Sequence, residues 1–398
     1  MQWSTAGTLL VGPRPTVLGD THSMTAGAQQ RESARPAPPS DAADLDRLRA
    51  AVAAALTDFL EMQRATLAGM DPSLVPVVDE VRAVAEGGKK LRPSFAYWGW
   101  RGACGQGLGT AEDDDAVLRA VAALEFVHAS ALVHDDVMDA AGTRRGRPTT
   151  HIGFADRHTT HGFSGDQELF GVGAAILVGD LALVWSDEML RCSGISEAAL
   201  GRARAVWDTM RTEVTAGQYL DLLRAAGGLP GSDGALTVAR YKSAGYTVQR
   251  PLQLGAAIAG AGPAVVEAFA AVGLPLGEAF QLRDDLLGVF GDPEITGKSA
   301  DDDLREGKQT LLVALAEEAT DDAGRGLLGR LLGNPDAGAD DFAALRELLV
   351  VTGARDRVEE RITRRTAEAR EAIAEAPIAD DARAALDALA VAATTRTA

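Results

Sequence analysis

Leu124-Glu125-Phe126-Val127-His128-Ala129-Ser130-Ala131-Leu132-Val133-His134-Asp135-Asp136-Val137-Met138-Asp139 reads as one helix, apolar on nearly every side until its last turn. A helix that is apolar all round belongs inside a core. Its end nonetheless carries Asp135, Asp136 and Asp139. The spacings 135 to 139 and 136 to 139 put carboxylates on one helical face. Acids converging in an apolar interior repel one another and lose solvation, so they need cations. Mg²⁺ is the matching ion, because it takes oxygen ligands and shares its shell with substrate phosphates. A second apolar run, Ala268 to Leu282, leads into Asp284-Asp285. Two acidic helix ends, with scattered lysines and arginines, point to a diphosphate held through metal ions between facing helices.

The rest of the chain supplies the frame for such a site. It has 398 residues, 46% of them hydrophobic, enough for a large core. Ala, Leu, Glu, Asp and Arg dominate, and alternating β-branched runs are scarce, which predicts an all-α fold. Leu45, Leu48, Val52, Leu56, Phe59 and Leu60 already recur at helical spacing. Composition changes once, near residue 45, so one domain over 45–398 is expected behind a disordered tail over 1–44. Within that tail, Arg35-Pro36-Ala37-Pro38-Pro39-Ser40 reads as linker, and Met24 is an alternative start.

The formal net charge is −18 and the pI about 4.8, which argues against nonspecific nucleic-acid binding. An anionic substrate stays open, because local cations decide that. Cys104 and Cys192 stand in no metal-ligand spacing and read as reduced thiols of a cytoplasmic protein. No run of 18 apolar residues occurs, so no membrane span is expected. Near the start, Thr8-Leu9-Leu10-Val11-Gly12 is too short for a signal-peptide core.

Several basic stretches carry two readings each. Gly87-Gly88-Lys89-Lys90-Leu91-Arg92-Pro93 is either a helix stop or an anion clamp, with glycines for close backbone approach and cations for charge-assisted bonds. His128 lies seven residues before Asp135, on the same face two turns deeper, as a core histidine or a ligand. Thr143-Arg144-Arg145-Gly146 is a neutralising turn or a bidentate phosphate contact. Glu112 to Asp115 reads as a helix cap. A zinc site at His158 and His161 lacks partners at ligand spacing. Gln218 and Asp221 either back the first acid cluster or line a polar helix face.

In their order along the chain these motifs resemble the trans-isoprenyl diphosphate synthases, over about residues 45 to 395. The resemblance implies a large single-domain helical bundle around a central cavity. It implies head-to-tail condensation of isopentenyl diphosphate with an allylic diphosphate (dimethylallyl, geranyl or farnesyl). Asp135, Asp139 and Asp284 would hold Mg²⁺, three ions per site, with Asp136, Asp285 and Lys242 completing the catalytic set. Lys89, Arg92, His128 and Arg145 would bind isopentenyl diphosphate. Arg144, Lys242, Ser243, Gln281, Lys298 and Lys308 would bind the allylic substrate. The ions and cations stabilise the departing diphosphate, the isopentenyl double bond attacks the allylic cation, and the released diphosphate takes the proton. A homodimer is the family habit.

The chain departs from the pattern at Gly288, where the family often carries a third Asp, and at Ser243, where it carries Thr. Product length in the family depends on the tunnel beneath the first acids. Its floor would be Ala131 and Ser130, with Val127 and Leu124 deeper. Small residues at 130 and 131 favour a C20 product, geranylgeranyl diphosphate, over C15, with C25 or longer as the alternative. Two further alternatives are a class I terpene cyclase and a non-catalytic partner subunit. The first needs an Asn-Ser-Glu type motif in place of Asp284-Asp285, and the second is expected to lose metal ligands or phosphate cations.

Overall fold

The structure, a computed structural model, describes residues 42–104, 112–292 and 300–395. The expected tail up to residue 41, the Gly-rich stretch 105–109 and Lys298 lie outside the described residues. Helix α1, Ala42–Met70, buries Leu48, Val52, Leu56, Phe59 and Leu60 on one stripe, the spacing that the sequence displays. A short turn, Pro72–Leu74, is capped by the Asp71 carboxylate on the Ser73 amide and leads into α2, Val75–Ala85. Helix α3 is Leu91–Cys104.

Helix α4, Asp114–Met138, is the apolar run with the acids. Asp113 caps it by accepting from the Ala116 amide, while Glu112 accepts from the Ser196 amide and hydroxyl. Every residue from Ala120 to Val127 is buried, as an all-round apolar helix requires. After α4 the chain makes a two-stranded hairpin, β1 Thr143–Arg144 and β2 Arg147–Pro148. Its turn residues Arg145 and Gly146 have φ of 52° and 72°, the left-handed pair that a tight two-residue hairpin needs.

Helices α5 (Thr150–Thr160), α6 (Gln167–Arg191) and α7 (Glu197–Ala225) follow, with α6 packed along α4. Helix α8, Gly231–Val238, runs on through a π-helical segment, Ala239–Gln249, into α9, Arg250–Ala259. The wider π register precedes Pro251, which has no amide to donate and whose ring would press on the carbonyl one turn back. Gly217 of α7 meets this segment closely: a Cβ there would lie 2.7 Å from the Lys242 Cα. Helix α10, Pro263–Phe290, spans two cores. Its first half packs on α9 and the π segment and shares one buried core with α1, α3, α4, α6 and α7. Its second half packs with α11 (Asp302–Arg305), α12 (Leu311–Ala319), α13 (Asp322–Leu331), α14 (Ala339–Val351) and α15 (Ala354–Glu375). Helix α16, Asp380–Thr394, closes against α3 and α15.

The fold is therefore an all-α bundle, and it encloses a cavity of about 770 Å³. The expectation of no membrane-spanning stretch rests on unbroken apolar runs, and a test by length and composition gives a different count. By length and composition α4, α6 and α10 are each apolar enough to cross a membrane. An unbroken-run rule misses them because isolated polar residues, such as Asp180 in α6, interrupt the runs without removing their apolar character.

Candidate active site

The C-terminal ends of α4 and α10 face the same cavity, and Asp135, Asp284 and Asp285 all line it. Around the first acids the charges are already matched. The Asp135 carboxylate accepts from Lys242 Nζ at 2.9 Å and from Gln218 Nε2 at 2.8 Å. Lys242 also donates to Asp221 at 2.6 Å, so the π segment, α7 and α4 meet at one lysine. Burial works against the charge on Asp135, but Lys242 beside it, with Lys308 and Arg144 nearby, holds it below the usual carboxylate range. Burial likewise works against the Lys242 ammonium, and Asp135 and Asp221 outweigh it and raise its pKa.

Asp136 and Asp139 differ from Asp135. Asp136 is buried outside the cavity wall and takes Arg144, with Nε at 2.7 Å and Nη2 at 2.5 Å. Asp136 thereby aims Arg144, which does line the cavity. Asp139 caps α4 and also lies outside the described wall. Burial, then the neighbouring Asp135 charge, pushes Asp139 up to about 6.

The second acid end is arranged differently. Asp285 accepts from Gln281 Nε2 at 2.7 Å. Burial raises Asp285 to about 7, and the Asp303 and Asp284 charges add to the effect. Lys308 lies across from it, bound to Asp303 at 2.8 Å and Glu306 at 2.9 Å. Burial alone would lower the Lys308 pKa, but those two acids raise it. Oxygen donors from two facing helix ends, with Asp285 and Asp139 short of compensating charge, fit Mg²⁺. Among the described residues no three acids stand close enough to cage an ion unaided. That suits an ion that takes one or two carboxylates and completes its shell with diphosphate and water.

The clamp after α2 forms a third wall. Lys89, Arg92, His128 and Arg145 line it together. Arg92 stacks over the Tyr246 ring at 4.1 Å and donates to the Thr247 hydroxyl at 3.0 Å. Arg92 Nε, His128 Nδ1 and the Tyr246 hydroxyl are buried without a hydrogen-bond partner among the described residues. Three such atoms in one wall are what a polar ligand satisfies. Burial, then Arg92 and Arg145 nearby, holds the His128 pKa well below its ordinary value, so its imidazole is neutral. Burial also raises the Tyr246 phenol.

Two residues that the sequence reading left without a role build this clamp. Lys90 adopts φ 52° and turns inward, 5% exposed. Its ammonium donates to the Ala85 and Gly87 carbonyls and to Glu125 of α4, the last at 2.9 Å. Lys90 thus closes the end of α2 and ties the glycine turn to the acid-bearing helix. Gly87 then receives Arg145: a Cβ at Gly87 would overlap its guanidinium, with Cζ 3.3 Å away. The signal in the sequence was the doubled lysine, one copy of which is spare if only Lys89 meets substrate.

The remaining expected residues distribute as follows. Ser243, Gln281, Lys308 and Ala131 line the cavity. Ser130, Val127 and Leu124 are buried and do not line it, and Val127 and Leu124 belong to the large core. Lys298 lies outside the described residues. His134 sits against α6, with Nε2 3.1 Å from the Ile176 carbonyl oxygen. His158 packs on Phe163 and Phe170, and its Nε2 faces the Ser164 carbonyl.

Comparison with known proteins gives a consistent result. Residues 78–349 match the family model described as polyprenyl synthetase. A geranylfarnesyl diphosphate synthase of Aeropyrum pernix is 32% identical over 82% of this chain and 92% of its own. A (2E,6E)-farnesyl diphosphate synthase of Mycobacterium bovis is 33% identical over 72% of this chain and 76% of its own. Among solved structures, a geranylgeranyl pyrophosphate synthase of Corynebacterium glutamicum, complexed with isoprenyl diphosphate and magnesium, superimposes with a TM-score of 0.85. That protein is 42% identical, and the match covers 89% of this chain and all of that one.

Proposed function

The chain belongs to the polyprenyl synthetase family, and from that premise we propose that it condenses isopentenyl diphosphate head-to-tail with an allylic diphosphate, with Mg²⁺, to a C20 product. It is a transferase, a prenyl diphosphate synthase. The observation that carries the proposal is the single cavity across which Asp135, Asp284 and Asp285 face the cations Lys89, Arg92, Arg145 and Lys308.

In this reading the two substrates take two walls. Asp135, Asp139 and Asp284 would hold Mg²⁺, which would supply positive charge against the leaving diphosphate. Arg144, aimed by Asp136, and Lys242, aimed by Asp221, add fixed positive charge at the same place. Ser243, Gln281 and Lys308 complete that wall, and Lys298 is assigned to it from the sequence. Lys89, Arg92, Arg145 and neutral His128 hold isopentenyl diphosphate with its double bond toward the allylic carbon. No protein nucleophile is needed, because the driving event is loss of an anion.

Chain length is the finer part of the proposal. The relatives named above differ in the chain length that their names give. The C20 reading is supported by Ala131 on the cavity wall and by Ser130 behind it, both too small to stop a tail early. A C25 or longer product is the second reading. The test extends farnesyl diphosphate with labelled isopentenyl diphosphate and sizes the product by chromatography. A dominant C20 product is expected, and failure to extend the C15 starter would overturn it.

A homodimer belongs to the same proposal. Leu169, Leu177 and Val184 of α6 are 72%, 65% and 62% exposed, and with Ile176 they form one apolar stripe. A second copy is the expected cover for a stripe of this kind. Sedimentation of the purified chain should give twice the chain mass, and a monomer at micromolar concentration would count against it. Cytoplasmic residence completes the reading, supported by the absence of a disulfide among the described residues.

A further inference from the structure

Gly288 stands one turn after Asp284 on α10, so a side chain there would share a face with that acid. The position is bare, yet the space above it is filled. A Cβ built on Gly288 would overlap one carboxylate oxygen of Asp303, and the Asp303 Cγ would be 2.7 Å away. Asp303 comes from α11, fifteen positions further along the chain, and its carboxylate leans over Gly288. One of its oxygens, Oδ1, accepts from Lys308 at 2.8 Å. The other, Oδ2, is the one that lies over Gly288. Its side chain is 14% exposed and lines the same cavity as Asp284 and Asp285. Leu304, 2% exposed and packed in the second core, anchors the backbone beside it.

We propose that Asp303 supplies the third carboxylate of the second metal-binding end, delivered from α11 across Gly288. The glycine is then a requirement of the arrangement: any side chain at 288 evicts the Asp303 carboxylate. The proposal rests on the metal–diphosphate reading of the cavity and adds a residue to it. Asp303 serves Mg²⁺ directly or through a bound water, while its other oxygen keeps Lys308 turned toward the diphosphate.

The test measures Mn²⁺ retention by electron paramagnetic resonance, with inorganic diphosphate as the second probe, on the full chain. Asp303→Asn should weaken Mn²⁺ binding by about 10–100-fold, the usual cost of losing a supporting group at a metal site. Gly288→Ala should weaken it by about tenfold, because its methyl displaces the carboxylate without changing charge. The exchange variant Gly288→Asp/Asp303→Gly should bind within about threefold of the parent. Melting without metal should fall modestly for Asp303→Asn, since Lys308 loses one of its two acid partners. Unchanged Mn²⁺ binding in Asp303→Asn and Gly288→Ala would overturn the proposal. So would an exchange variant no better than Asp303→Asn. Asp135→Asn separates the two levels. If it too keeps full Mn²⁺ binding, the metal–diphosphate reading itself fails. If it loses binding while Asp303→Asn does not, only the assignment of Asp303 fails.

Discussion

The acid end of α4 and the acid end of α10 look alike in sequence and differ in electrostatic state. Asp135 is met by Lys242 and Gln218, and Asp136 by Arg144, so two of the three acids at that end are matched before any ligand arrives. Asp285 is met by one amide, from Gln281, and sits among Asp284 and Asp303. Asp135 is held charged by a protein cation, whereas burial keeps Asp285 above the usual carboxylate range. In the proposed function a metal-bound diphosphate would join the two, bringing positive charge to the acids and an anion to the cations.

Removing the shared function tests this contrast most severely. Asp135→Asn and Asp284→Asn should each lower kcat by about 10²–10³-fold, the scale of losing one strong electrostatic contact in a transition state. Steady-state turnover at saturating Mg²⁺ checks this. If either variant keeps more than a tenth of the parent rate, its end is not part of the catalytic wall.

Apo stability should separate the ends by sign. Folded Asp285 titrates near 7, against the ordinary carboxylate range in the unfolded chain. Between those values the folded protein keeps a proton that the unfolded chain has lost. Stability therefore falls as pH rises from about 4 to 7 and stays low above that. Asp285→Asn should remove this dependence and stabilise the metal-free protein at pH 8 by on the order of 2 kcal/mol. Asp135 has the opposite shift, so its contribution is present at neutral pH and is lost as pH falls through its folded value. Asp135→Asn should destabilise the metal-free protein at pH 8 by about 1–2 kcal/mol. Denaturant melts in EDTA at pH 5 and pH 8 read both. Shifts of the same sign in the two variants would end the contrast.

Gly87→Ala touches neither acid end. Its methyl would displace the Arg145 guanidinium, so KM for isopentenyl diphosphate should rise about tenfold, or about 1.4 kcal/mol. The allylic KM should change far less. Equal rises for both substrates would mean that the clamp serves the whole cavity and not one wall. The smallest effect on rate is expected at Ser130→Phe, within about threefold, but it should shorten the product. Unchanged length would place the floor elsewhere, in line with Ser130 lying behind the wall and not on it.

The fold class and both acid motifs are legible in the sequence because they are local patterns. The helical period of α1, the apolar run of α4 and the adjacent acids need no knowledge of distant contacts. The roles of Lys90, Glu125, Tyr246 and Asp303 are not legible for the opposite reason. Lys90 reaches Glu125 across 35 residues, and Arg92 reaches Thr247 across 155. Tyr246 acquires its place from a π-helical register that no apolar period encodes. Gly288 reads as a loss in the sequence because the carboxylate that covers it belongs to another element.

The central claim is that the ends of α4 and α10 act together on one metal-bound diphosphate. Calorimetric titration of inorganic diphosphate into the full chain, with Mg²⁺ and again with EDTA, addresses it directly. Strong binding only with Mg²⁺, lost in both Asp135→Asn and Asp284→Asn, is the expected result. Binding of equal strength in EDTA, or loss in one variant alone, would contradict it.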